Sequence, residues 1–75
     1  MTNIYFIIAD TTKRNTDKNQ MDFLVRPALN DLSGILQDIA DRNKTPIDKM
    51  RLYICPDKKT WMKMQDDFRE RTQIL

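Results

Sequence analysis

Two aspartates and one cysteine occupy the positions where chemistry is sought first. Asp10 ends the apolar run Ile4 to Ala9, and Asp57 follows the run Arg51 to Cys55 after a single proline. Carboxylates at two neighbouring strand ends could together hold Mg²⁺, which binds through a few carboxylates and several waters. That gives one reading, a Mg-dependent phosphoryl-transfer enzyme built on Asp10 and Asp57. The competing reading is structural, because strand-ending aspartates commonly make turns and cap helices. Cys55 stands where a strand meets a helix N-terminus, a place that lowers a thiol pKa. The chain has no histidine to serve as its base, and a lone strand-end cysteine usually behaves as a small buried apolar residue. With no histidine and one cysteine, the ligands of a zinc site are missing. The single glycine, Gly34, leaves no glycine-rich loop to cradle a nucleotide phosphate. No cofactor and no catalytic residue set is expected.

The cations suggest a different chemistry. Lys13, Arg14 and Lys18 lie in the polar stretch Asp10 to Gln20, and Lys58 and Lys59 follow Asp57. In a parallel strand-helix-strand unit both strands end at one edge of the sheet, where ligands of open α/β sheets bind. That placement would gather the five cations beside a helix N-terminus that also favours anions. The polar stretch is long for a connection in a compact unit, so it is expected to be a mobile contact loop for an anionic surface. Its bland alternative is a solvated linker. Met62 lies off the helical stripe Trp61, Met64 and Phe68 and is the candidate exposed contact on the last helix. The apolar end Ile74-Leu75 is expected to dock on the core or meet a partner.

These residues need elements to hold them. Ile4 to Ala9 is a continuous β-branched and aromatic run, the pattern of a strand covered on both faces. Leu24, Ala28, Leu32, Ile35, Leu36 and Ile39 recur at helical spacing. Because proline suits only the first turn of a helix, Pro27 places the regular helix from about Arg26, with Met21 to Val25 as a lead-in turn. Asn43 is read as its left-handed cap, and Thr45-Pro46-Ile47-Asp48 as a single capped helical turn. Arg51 to Cys55 reads as a second strand and the stretch from Pro56 or Asp57 onward as a second helix. The expected fold class is therefore α/β: a small β-α-β-α unit of two parallel strands and two helices, one domain over residues 1–75. Gly34 sits inside the first helix, where glycine costs about 1 kcal/mol relative to alanine, so a close backbone approach is expected there.

Two strands make a small sheet. Unless the helices cover it tightly, an edge strand should pair with another molecule, either a second copy or a partner strand. At 75 residues a domain buries only roughly 60 to 65% of its unfolded surface, which makes added burial useful. The chain is 40% hydrophobic and 32% charged, with 13 Lys and Arg against 11 Asp and Glu. That is a globular composition with interspersed charge and no basic arm. The apolar run at Ile4 is far shorter than the ~20 residues of a membrane span, and the lone cysteine suits a reducing cytoplasm. The leading expectation is a non-enzymatic regulator, inhibitor or adaptor that binds a larger protein partner. A nucleic-acid or nucleotide/phosphate-binding module using Lys13, Arg14, Lys18, Lys58 and Lys59 is the second.

Overall fold

The computed structural model describes residues 3–27 and 31–73. Three strands, two α-helices and one short 3-10 turn follow one another as β1 (Ile4–Asp10), β2 (Met21–Arg26), α1 (Leu32–Asn43), the turn Ile47–Lys49, β3 (Met50–Cys55) and α2 (Lys58–Gln73). The sheet order is β2-β1-β3. Both neighbours run antiparallel to β1, with Phe6 opposite Leu24 on one side and Ile54 on the other.

This overturns the expected pair of parallel strands. The strand absent from that expectation is β2, whose residues were read as a lead-in to the first helix. Met21, Phe23 and Val25 alternate with Asp22, Leu24 and Arg26, a strand period, and Pro27 closes the run. Inserting β2 adds one reversal of chain direction, so β3 returns antiparallel to β1. A strand-helix-strand crossover does exist, but it joins β2 to β3, which run in the same direction on either side of β1.

Strand alternation then sorts the core into two layers. Ile4, Phe6 and Ile8 face α1 together with Leu24 and Met50, and Leu32, Ile39 and Ala40 pack down on them with Ile35 and Leu36 at the margin. Tyr5 and Phe23 point to the opposite face, where Trp61 and Phe68 of α2 meet them with ring centroids 5.6 to 6.4 Å apart. The central strand is thus covered on both sides, and Phe6, Ile7 and Ile8 are wholly buried. Two-sided burial, which the apolar run did signal, arises from a helix on each face of an antiparallel sheet. The Trp61 indole N–H adds a bond to the Phe6 carbonyl at 3.2 Å.

The helix ends follow from local chemistry. The α1 helix begins at Leu32, five residues after Pro27, not at Arg26. Its left-handed residue is Lys44, at φ 56°, one position after the asparagine expected there. Asn43 remains helical, and its amide is used elsewhere. The α2 helix starts where expected, with the Asp57 carboxylate accepting the Thr60 N–H at 2.7 Å as an N-cap. A Cβ added at Gly34 would meet no described atom within 4 Å, so the expected close approach is absent and the two helices lie on opposite faces. Ala28, Asn30 and the Ile74-Leu75 end lie outside the described residues.

Candidate binding surface

Asp10 is a sealed junction. Its side chain is wholly buried, and both carboxylate oxygens are filled. One accepts the Thr12 N–H at 2.9 Å and the Thr12 hydroxyl at 2.6 Å. The other accepts the Thr45 hydroxyl at 2.7 Å and the Asn43 amide at 3.1 Å. An ionised carboxylate offers about four acceptor positions, and here all are taken. Burial pushes the Asp10 carboxyl up, but the bonds from Thr12, Thr45 and Asn43 outweigh it and hold the group below its usual range. The residue ties the end of β1 to the end of α1 and to the turn before β3.

Antiparallel pairing separates the residues that a parallel sheet would have gathered. Asp10 lies opposite Met50, while Cys55 lies opposite Tyr5. Five residues of strand, about 17 Å, therefore stand between the Asp10 end and the end that carries Asp57. No group of three or more His, Cys, Asp or Glu is placed to hold a metal among the described residues. Asp57 is exposed, and the bond from the Thr60 N–H holds its carboxyl below the usual range. Burial, then the Asp57 charge, pushes the Cys55 thiol up, the reverse of what a thiolate nucleophile needs.

The five cations divide in the same way. Lys13, Arg14 and Lys18 stay with the Asp10 end, and Lys58 and Lys59 sit at the opposite end of the sheet. The first three belong to a loop of successive turns, with Lys13 N–H on the Asp10 carbonyl, Asp17 N–H on Arg14 and Gln20 N–H on Asp17. That loop walls a cleft of about 450 Å³ against Met21, Tyr53 and Met64, to which Lys13 contributes the one cation. Lys58, Lys59 and Met62 line a shallow recess along one side of α2, where Lys63, Asp66 and Asp67 mix the signs of charge. Met62 is exposed, and so is Met64, which the stripe had placed in the core.

Sequence reasoning did not nominate the residues that stand out on this surface. β3 is an edge strand with only β1 beside it among the described residues, and three consecutive large apolar side chains along it are open to solvent. Leu52 is 39% exposed, Tyr53 50% and Ile54 56%, with Ile47 nearby at 43%. Because neighbours alternate, Leu52 and Ile54 lie on the α1 side and Tyr53 on the α2 side, so neither face of the edge is capped. The only charge on the strand is Arg51, whose guanidinium bonds to the Asp48 and Met50 carbonyls. Natural edge strands are normally blunted by several charges, a proline or a bulge. The signal was present in the sequence as Leu52-Tyr53-Ile54 without a polar residue, but only the sheet order makes that run an edge.

No family model, curated protein or solved structure matches the chain. Among the described residues, no helix is long and apolar enough to cross a membrane.

Proposed function

We propose that this protein is a non-enzymatic binding module that works through protein contact at the open edge of β3. The observation that carries the reading is the exposure of Leu52, Tyr53 and Ile54 in a row on a strand whose outer edge is unpaired among the described residues. Such an edge offers main-chain hydrogen bonds to an added strand, and apolar side chains above and below it supply the burial. A regulator, inhibitor or adaptor needs no more machinery than this. The carboxylates support the same reading, since Asp10 is filled by its own network and Asp57 serves as a helix cap. The buried free Cys55 suits a reducing compartment, and we assign the chain to the cytoplasm.

The test is site-specific photo-crosslinking in cells that express the protein. A photoreactive residue at position 54 is expected to trap one defined protein segment, while the same group at the exposed position 70 on α2 traps none. Equal, diffuse labelling from both positions would remove β3 as the contact.

A further inference from the structure

The geometry points to a second copy of this chain as the occupant of the β3 edge, paired antiparallel about Tyr53 to give a continuous six-stranded sheet. The inference rests on the reading of β3 as the contact edge and names the strand that fills it.

Self-pairing of one strand about a two-fold axis requires that the residues facing each other suit each other. With Tyr53 at the axis, Tyr53 faces its own copy, and Leu52 faces Ile54 of the second copy on the α1 side. The three exposed apolar side chains are then matched among themselves, and each cross-strand pair is apolar on apolar. Centring on Leu52 instead would set the exposed Ile54 against Met50, which is only 5% exposed and already part of the core. The Tyr53 register pairs the three open residues with one another.

The flanking charges agree. β3 is preceded by Asp48-Lys49 and followed by Asp57-Lys58, all four exposed. Antiparallel pairing brings the beginning of one strand beside the end of the other. About Tyr53, the turn that carries Asp48 and Lys49 comes beside the start of α2 of the second copy, which carries Asp57 and Lys58, so each end of the interface brings charges of both signs together. Arg51 comes opposite Cys55 of the second copy, away from its own image, so the strand's single charge does not oppose self-association. The other edge, β2, lacks this pattern: its residues are all half-buried, and Asp22 and Arg26 stand within it.

Sedimentation velocity of the purified chain over a concentration series, with cysteine trapping, tests the inference. Wild type is expected to move from monomer to dimer as concentration rises, and Ile54→Lys to remain monomeric throughout with an unchanged circular dichroism spectrum. In a Cys55→Ala background, Tyr53→Cys is expected to give an intermolecular disulfide under mild oxidation, while Leu52→Cys does not. A wild-type monomer at every concentration, or a dimer that survives Ile54→Lys, would overturn the second copy. A disulfide from Leu52→Cys in place of Tyr53→Cys would overturn the register. If wild type is monomeric while position 54 still crosslinks to a different protein, the self-pairing fails and the contact edge stands. If neither is seen, both fail.

Discussion

The Thr45 hydroxyl donates to the Asp10 carboxylate across 2.7 Å, joining residues 35 positions apart in the chain. The same carboxylate holds Asn43 from α1 and Thr12 from the loop after β1. One buried side chain therefore adds side-chain bonds among three segments that the backbone joins through the Thr45 N–H on Ala40 and the Thr11 N–H on Lys49. Asp10→Ala would leave the Thr12, Asn43 and Thr45 donors without their acceptor. Of these, Thr45 is buried, Asn43 half-buried and Thr12 exposed, and a buried unpaired group costs about 1 to 3 kcal/mol, so the variant should lose about 1 to 3 kcal/mol, measurable as a lower urea midpoint. A shift of under about 0.5 kcal/mol would show that water replaces the carboxylate without penalty.

The same network sets an acid response whose sign is fixed. Asp10 is held below the ordinary 3.8 in the folded protein, so its contribution is fully present above that value and is lost as pH falls through the lower folded value. Asp22 behaves oppositely: burial raises its carboxyl, with Arg42 only partly offsetting. Its ionisation weakens the fold above the ordinary value, and protonation relieves this as pH falls. Asp10→Asn should therefore be destabilised at pH 7 and lose less further stability than wild type on acidification to about pH 2.5. Asp22→Asn should be more stable than wild type at pH 7. Denaturant midpoints at the two pH values check both signs.

Gly34 gives a test of packing. The position is helical, exposed, and open around its missing Cβ. Gly34→Ala should gain about 1 kcal/mol from helix propensity, which in a domain of this size raises the melting temperature by about 4 to 8 °C. The single tryptophan, Trp61, packed against Tyr5 and Phe23, supplies a fluorescence readout. A fall in melting temperature would mean that an uncharted neighbour does approach α1.

What could be read from the residues was local. Ile4 to Ala9 announced a strand covered twice and Pro56-Asp57 announced a capped helix, each from side-chain chemistry within a few positions. The short turn after Thr45-Pro46 is present at Ile47–Lys49, but Pro46 is its N-cap and the Thr45 hydroxyl, expected to cap it, goes to Asp10 instead. Met21 to Arg26 was not legible, because Leu24, Ala28 and Leu32 repeat every four residues and imitate the helix that follows. Missing that strand reversed the direction of β3, and with it moved Lys58 and Lys59 to the far end of the sheet from Lys13, Arg14 and Lys18. Alternation across Arg51 to Cys55 identified a strand but carried no information about its neighbours. The exposure of Tyr53 and Ile54 is a property of sheet order, which local pattern does not encode.

Amide hydrogen exchange by NMR, on the unmodified chain at low and high concentration, tests the central claim residue by residue. In an edge strand alternate N–H groups point outward and exchange freely unless another strand takes them. The outward amides of Arg51 to Ile54 should become protected at high concentration, while the outward amides of β2 stay as they were. Unchanged exchange along β3, or protection that appears at β2 instead, would contradict the account.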